Sequence, residues 1–341
     1  MKIIVVGPSY EDYTAASYQN EFMKELKNSS ESYYHYQNAG DITIKELISF
    51  AKFTPDIIFY NHGWLSDNVN LEDLKYSRLI GRRSNKIKHI VFLNKEYVLL
   101  KEKLKEINKY KFDLIFTHLH NFYKLNTTSI RSVFLPLACS FRSLSEKRFK
   151  KLSDRKYDLY FSGILQNWDR RETQGDLRKK IQAELFYCIY DFPLLQKIKY
   201  WNLAIYWKPF YKNRIKNIFS DFLHGKKLNQ KDYFNKLANS KCVLHTSSPL
   251  GIISTRVFEA VGSGAIGLFS DESKADELIK DQIHFFNFST IQDFISKVYK
   301  IKNASKFSSI QKIADQGRLY IEDEHTWKNR VLRFKDEVSN L

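Results

Sequence analysis

The sequence contains few cysteines, and their spacing excludes two classes of protein. Its three cysteines, Cys139, Cys188 and Cys242, lie far apart with no CxxC spacing and no nearby pair of histidines. That distribution argues against a disulfide framework and against a structural zinc site. We therefore expect a protein of a reducing compartment with no metal site.

Long apolar runs are also missing. No stretch reaches the ~18 consecutive apolar residues that a membrane-spanning helix needs. The apolar run at the N-terminus has only four residues before Gly7, which is too short for a secretory signal. These absences predict a cytoplasmic protein without a transmembrane segment, for which peripheral membrane contact stays open.

Acidic residues are scarce relative to basic ones. Lys and Arg number 55 against 38 Asp and Glu, a formal net charge of +17, although charged residues make up an ordinary 27% of the chain. A positive field of this size favours an anionic partner such as a nucleotide, a nucleic acid, a phosphorylated lipid or an acidic glycan. The alternative is a basic surface that serves solubility alone.

The pattern that is present is alternation of short apolar strands with amphipathic helices. The length of 341 residues, of which 43% are hydrophobic, predicts about two domains with real cores. Helices are predicted at Ala15–Leu26, Thr43–Phe50 and Tyr97–Asn108. Such alternation indicates βαβ units around a parallel sheet. The strands predicted for the first half are Ile3–Val6, Ile57–Tyr60, Ile90–Leu93, Leu114–Thr117 and Ser132–Leu135.

A charged stretch at Ala138–Lys156 separates this half from a second alternating series, so we expect a domain of residues 1–150 and another of 151–310. Two doubly wound, Rossmann-like domains would face each other across a ligand-binding cleft. A late helix, Phe307–Val338, would cross back to the first domain, with residues 311–341 packing there. The second series of strands is Tyr157–Gly163, Lys241–Ser248, Gly264–Asp271 and Gln282–Phe288.

The stretch Gln196–Lys216 mixes basic and aromatic residues and contains no acid. Such a mixture suits stacking on bases together with phosphate contact. The other interpretation, which we prefer, is an amphipathic helix whose aromatic side packs and whose lysine side is solvated.

The segment Leu244–Gly264 contains the strongest chemical signal. A strand ends at about His245, a loop of small residues follows, and Ser254 or Thr255 opens a helix. Such a loop directs backbone N–H groups and the positive end of a helix at one point, which suits a diphosphate. On the helix, Arg256 and Glu259 share a face, so that Arg could bind phosphate and Glu could accept from two ribose hydroxyls. The alternative is a salt bridge between them on a surface helix.

These motifs resemble the CgeB-like (spore-protein type) group of GT-B glycosyltransferases over roughly residues 157–335. The resemblance implies an α/β fold of the GT-B type, a nucleotide-diphosphate-sugar donor bound mainly by the second domain, an acceptor on the first, and no required metal or cofactor. The matching motifs are YDLYFSG at 157–163, RRE at 170–172, SKCVLH at 240–245, RVFEA at 256–260, GA at 264–265, Asp271, IADQG at 313–317 and HTWKNR at 325–330.

The resemblance also assigns roles to residues. Glu259 would bind the ribose, Arg256 and the amides of Gly251–Ser254 the diphosphate, and Arg170 or Arg171 a phosphate from the facing loop. The full set predicted for the nucleotide-sugar is Gly163, Arg170, Arg171, His245, Ser247, Ser248, Gly251, Ile252, Ile253, Ser254, Arg256 and Glu259.

A catalytic base is harder to choose. We predict His62, with Asp67 just beyond it, because His62 follows a strand of the first half. His118 and His120, which follow the predicted strand Leu114–Thr117, are alternative candidates for the base. Retaining enzymes with paired glutamates have a second Glu eight positions before the ribose Glu, where this chain has Gly251, so retention and inversion both stay open.

The function expected is metal-independent transfer of a sugar to a glycan, a lipid-linked saccharide or another anionic acceptor. Two alternatives stay open: a phage-type glycosyltransferase acting on a modified base in DNA, and a GT-B protein that binds nucleotide or glycan without catalysis. A dinucleotide oxidoreductase is disfavoured because the first glycine motif, at Gly7, is not GxGxxG. His325 and Trp327 are expected to be structural.

Overall fold

The computed structural model describes residues 1–9, 18–37, 42–61, 86–93, 96, 99–140, 149–165, 201–207, 230–246, 248–303 and 308–341. These residues form two compact units. One contains the described residues up to Leu137 together with Trp327–Leu341, and the other contains those within Ala138–Thr326. No helix in the described ranges is both long enough and apolar enough to cross a membrane.

The first unit is built on a six-stranded sheet in the order β2-β1-β3-β4-β5-β6, with every pair parallel. Residues at the centres of β1 and β3 are fully buried, as expected for a sheet covered on both faces. The five strands predicted for this half are confirmed to within two residues, and β2 was missed. The strands are β1 Lys2–Val6, β2 Ser32–Tyr36, β3 Ile57–Tyr60, β4 Lys88–Phe92, β5 Leu114–Thr117 and β6 Ser132–Phe134.

Three helices follow the predicted pattern: α1 Tyr18–Ser29, α2 Ile44–Ala51 and α3 Leu100–Tyr110. The start of α2 is set by a capping box. Thr43 Oγ1 accepts from the Glu46 amide, and the Glu46 carboxylate accepts from the Thr43 amide.

The second unit has a five-stranded parallel sheet in the order β11-β10-β9-β7-β8. Its helices are α4 Gln230–Ala238, α5 Thr255–Gly262, α6 Ile291–Lys302 and α7 Ser308–Glu324. The strands are β7 Tyr157–Leu165, β8 Trp201–Trp207, β9 Ser240–His245, β10 Ile266–Ser270 and β11 Phe286–Phe288.

Strand β8 corrects the interpretation of the basic, aromatic stretch. Trp201–Trp207 pairs residue by residue with Leu159–Leu165 of β7, so this part is an edge strand and the predicted amphipathic helix is wrong there. Pairing with β7 satisfies the backbone N–H and C=O groups along one edge of this segment. Hydrophobic periodicity alone does not reveal such a pairing. The remainder of Gln196–Lys216 lies outside the described residues.

The single late helix that was predicted, Phe307–Val338, is instead two helices. Helix α7 lies in the second unit, and α8, Trp327–Ser339, lies in the first. The break has a physical cause at His325. Its carbonyl accepts from the Cys139 amide at 2.8 Å, and Thr326 forms a β-bridge with Cys139. A helical hydrogen bond from residue 329 to that carbonyl is thereby replaced.

Helix α8 is anchored in the first unit by aromatic packing and by one buried cation. The ring of Phe334 lies 5.8 Å from Phe22, 5.2 Å from Phe59 and 4.9 Å from Phe116. Arg330 donates to the carbonyls of Pro136 and Leu137.

A single buried guanidinium organises the second unit. Arg155, 4% exposed, donates to the carbonyls of Lys150 (3.2 Å), Leu237 (3.5 Å), Ser240 (2.9 Å) and Ser263 (2.8 Å). Leu237 lies in the last turn of α4, Ser240 begins β9, and Ser263 follows α5, so one cation joins the carboxyl ends of two helices. Burial lowers the pKa of Arg155 to about 10, which leaves it charged at neutral pH.

Gly264 makes room for this cation. Its φ is 72°, and a Cβ at this position would lie 2.8 Å from Arg155 Nη2. A glycine there both adopts the left-handed backbone and admits the guanidinium.

We expect Arg155→Lys to lower the free energy of unfolding by about 3 kcal/mol, because one ammonium cannot satisfy carbonyls arranged around a planar fork. Urea unfolding measures the change. Arg318→Lys is the matched control, since Arg318 is a partly exposed cation paired with Glu322 on the next turn, and its change should stay under about 1 kcal/mol. Equal stability of the Arg155 variant and wild type would contradict this role.

Candidate functional site

The loop between β9 and α5 has the course that the sequence predicted. The strand ends at His245, a 3-10 turn covers Pro249–Gly251, and the helix begins at Thr255 with Ser254 as its N-cap. The backbone at Gly251 has φ 71°, a conformation that L residues rarely adopt. A glutamate at that position, as in paired-glutamate enzymes, would therefore be strained.

The first turn of α5 lacks a side-chain cap. Ser254 makes no capping hydrogen bond, and its hydroxyl instead lies 3.1 Å from Nε2 of the buried His245. The N–H groups at the start of a helix have no partner within the helix, and they carry its positive dipole end. The Val257 amide donates to the Ser254 carbonyl at 3.1 Å, so the start of α5 offers an anion the amides of Thr255 and Arg256 beside the Ser254 hydroxyl.

Arg256 and Glu259 do not form the surface salt bridge that was one interpretation. Glu259 is only 4% exposed, and its Oε2 accepts from the Tyr233 hydroxyl at 2.7 Å. Arg256 is half-buried, and it forms neither an ion pair nor a hydrogen bond with any residue in the described part of the chain. The helix thus presents a cation near its start and a buried carboxylate one turn further on.

The other predicted loop residues divide by what their groups already do. The Gly251 amide donates to the Ser248 carbonyl at 3.1 Å, so this amide has a partner within the loop, and its contact with a diphosphate stays a prediction. Ile252 and Ile253 are buried, which leaves their backbones as the parts able to meet a ligand. Gly163 lies near the carboxyl end of β7, paired with Ile205.

Two residues near this loop were missed by the sequence analysis. Lys274, exposed after the carboxyl end of β10, has its Cγ 3.4 Å from where a Cβ of Gly251 would lie, and its ammonium pairs with no described residue. Tyr233 comes from α4. The position of Lys274 after the strand next to β9 was a usable signal, because carboxyl ends of parallel strands share an edge.

Several predicted residues cannot be placed. His62, Asp67, Arg170, Arg171 and Ser247 lie outside the described residues. They stay predictions.

The rival histidines of the first unit have different surroundings. His118 is buried, its Nδ1 lies 2.9 Å from the Leu135 carbonyl, and its backbone amide donates to Glu96 Oε1 at 2.7 Å. Burial lowers the pKa of His118, against an opposing effect of Glu96. His120 is exposed, with its ring 5.0 Å from Phe134.

His325 and Trp327 lie in aromatic clusters. The His325 ring stacks on Phe258 at 5.1 Å, and Trp327 lies 6.2 Å from Phe22 in an edge-on arrangement. Both are buried, which fits structural roles. Within the described ranges, no group of His, Cys, Asp and Glu is arranged to hold a metal ion.

Similarity to known proteins extends over this site. Residues 193–336, which include Tyr233, Arg256, Glu259 and Lys274, match a family model described as "Glycosyl transferase-like". None of the curated proteins matches the chain.

Solved structures share the fold along the whole chain. HepE of Anabaena in complex with UDP and glucose has a TM-score of 0.64 at 12% identity, covering 100% of both chains. An α-glucosyltransferase in complex with UDP has a TM-score of 0.66 at 13% identity, covering 99% of this chain and 100% of that one. An α-glucosyltransferase in complex with UDP-glucose and DNA containing an abasic site has 0.64 at 12%, covering 99% and 98%. The fold is therefore that of GT-B glycosyltransferases, as predicted, while the CgeB-like subgroup stays a prediction.

The burial of His118 generates a prediction about pH. The pKa of His118 in the folded state is below the ordinary 6.5. As the pH falls below about 6.5, the unfolded chain therefore binds a proton at this residue while the folded chain does not. Stability from this group is complete above that pH and is lost on acidification. His118→Asn, which can keep a donor to Leu135, should show a smaller loss of stability between about pH 7.5 and pH 5 in urea unfolding.

His120→Asn serves as the control, since this ring is exposed. It should retain the wild-type dependence of stability on pH. An unchanged dependence in the His118 variant would show that His118 does not contribute to it.

Proposed function

We propose that this GT-B protein is a glycosyltransferase that moves a sugar from a nucleotide-diphosphate-sugar to a glycan or another anionic acceptor. The observation that carries the proposal is the placement of two groups one turn apart at the start of α5: Arg256, whose guanidinium pairs with no described residue, and the buried Glu259. The matched family model and the UDP complexes of similar folds support it.

The diphosphate would bind at the start of α5. The uncapped amides of the first turn, the Arg256 guanidinium and the exposed Lys274 ammonium all suit phosphate oxygens. Two cations and a helix dipole offer the charge that a divalent metal would otherwise supply, so we propose that transfer is independent of metal.

The ribose would bind to Glu259. An ionised carboxylate only accepts hydrogen bonds, with about four acceptor positions on its two oxygens, and so can take protons from neighbouring hydroxyls. Its burial limits competition from water, which strengthens each such hydrogen bond.

The main catalytic contribution would be stabilisation of the leaving nucleoside diphosphate. Negative charge grows on the diphosphate as its bond to the sugar breaks. We propose that Arg256, Lys274 and the first amides of α5 stabilise this charge, and groups held by the fold need little reorganisation when the charge develops. His62, with Asp67, stays our proposed base for an inverting reaction.

A second candidate function is glycosylation of a base in DNA. A net charge of +17 and the DNA complex of a similar fold favour it. Helix α3 adds an exposed stripe of Lys101, Lys105 and Lys109 at every fourth residue. A base within a duplex would have to flip out before it could react.

We expect a nucleoside diphosphate to raise the thermal midpoint of the protein, since a ligand of the folded state stabilises it by mass action. UDP, GDP, CDP, TDP and their common sugars form the panel, with UDP expected to bind. Glu259→Ala should weaken binding by more than tenfold, the effect of losing hydrogen bonds to a charged group.

Glu322→Ala is the matched control, because Glu322 is an exposed carboxylate of α7 paired with Arg318. It should bind the nucleotide like wild type. A folded wild-type protein whose midpoint none of these ligands raises would overturn the proposed function.

The second candidate makes a separate prediction about salt. If the acceptor is DNA, the logarithm of the duplex binding constant should fall steeply with the logarithm of salt concentration, by about 0.9 for each phosphate contacted. Fluorescence anisotropy with a labelled duplex between about 50 and 200 mM salt measures this slope. Absence of duplex binding at the lowest salt would remove DNA as the acceptor.

A further inference from the structure

A tyrosine from another helix holds the carboxylate of Glu259. Tyr233 lies in α4, which precedes β9, while Glu259 lies in α5, which follows it. The Tyr233 hydroxyl donates to Glu259 Oε2 at 2.7 Å. A phenol that donates to a carboxylate at this distance forms a charge-assisted hydrogen bond, which is stronger than one between neutral groups.

The tyrosine ring is itself held in place. Its centre lies 5.2 Å from that of Phe234 and 6.5 Å from that of Tyr160, a fully buried residue of β7. Burial and the nearby Glu259 carboxylate raise the pKa of the Tyr233 phenol well above its ordinary value. The hydroxyl therefore keeps its proton and stays a donor throughout the neutral range.

A fixed donor selects one orientation of the glutamate. A Glu side chain has three torsions, and a directional hydrogen bond restricts the carboxylate plane in a way that burial does not. The bond from Tyr233 uses one acceptor position of Oε2 and sets that plane. Binding of a diol to a carboxylate already oriented costs less entropy than binding to a rotating one.

We propose that Tyr233 is a positioning residue that orients Glu259 toward the ribose hydroxyls and thereby sets discrimination between ribose and 2′-deoxyribose in the donor. The inference rests on the proposed function. Tyr233 itself acts through Glu259, so its removal should affect recognition of the 2′-hydroxyl rather than of the phosphates.

A purely structural role predicts something different. If the hydrogen bond only joined α4 to α5, losing it would loosen the whole loop and weaken every nucleotide alike. The ratio of affinities for two nucleotides that differ in one hydroxyl therefore separates the two roles.

The test is calorimetric titration of the full chain and of Tyr233→Phe with UDP and with 2′-deoxy-UDP. If the panel above identifies another nucleoside diphosphate, that nucleotide and its 2′-deoxy form replace them. We expect the UDP dissociation constant to rise about three- to tenfold and the 2′-deoxy-UDP constant to rise by a smaller factor, about two- to threefold at most, because the deoxy form keeps only one of the two hydroxyls. The preference for ribose should fall accordingly.

Tyr320→Phe is the matched control. It removes the same atom from a partly buried tyrosine whose hydroxyl donates to the Leu278 carbonyl at 3.4 Å and to no carboxylate among the described residues. Both dissociation constants should stay at their wild-type values.

Glu259→Gln and the double variant Tyr233→Phe/Glu259→Gln complete a cycle. Because Tyr233 acts through the carboxylate, the double variant should bind UDP no more weakly than the Glu259→Gln single variant. If Tyr233→Phe proves unstable, the Glu259→Gln single variant still tests the idea, because an unchanged preference for ribose in that variant would overturn a role of Tyr233 that acts through Glu259.

Each outcome has one meaning. Equal weakening of both nucleotides, no change in either, or additive effects in the cycle would overturn the role of Tyr233 while leaving the proposed function intact. A wild-type protein that binds no nucleoside diphosphate would overturn the proposed function, and this inference with it.

Discussion

The hydrogen bonds of Arg155 are the constraint on which the second unit depends. One buried guanidinium joins the carboxyl end of α4, the first residue of β9 and the carboxyl end of α5. The side chains with proposed functions lie further toward the amino ends of the same two helices. A 2.7 Å hydrogen bond between Tyr233 and Glu259 needs α4 and α5 to keep their positions relative to each other. A cation distant from the site thus fixes the geometry within it.

The site separates two kinds of recognition along one helix. The cations suited to phosphate are Arg256, half-buried in the first turn of α5, and Lys274, which is exposed after β10 with its side chain near Gly251. The group suited to hydroxyls, Glu259, is buried one turn further on. This arrangement suits a molecule with an anionic part next to a polyol, because a buried carboxylate would repel phosphate and a solvated one would recognise hydroxyls weakly.

Much of this site followed from one continuous stretch of sequence. His245, Ser254, Arg256 and Glu259 lie within fifteen consecutive residues, so strand, loop and helix patterns were enough to bring them together. Tyr233 and Lys274 lie outside that stretch, and only the strand that precedes Lys274 pointed toward the site. They reach the site from α4 and from the end of β10, through contacts between elements that local patterns do not specify.

The sequence by itself determined most strands of the two parallel sheets, because buried strands and amphipathic helices have characteristic hydrophobic periods of a few residues. It also determined the turn before α5, where a glycine permits the left-handed backbone at Gly251. Tertiary structure alone decided that Trp201–Trp207 is a strand, through pairing with β7, and that the late helix breaks at His325, through the amide of Cys139. It also decided that Glu259 meets a tyrosine rather than Arg256. The reason is common to all three: each outcome depends on a partner distant in sequence, and a local pattern contains no information about that partner.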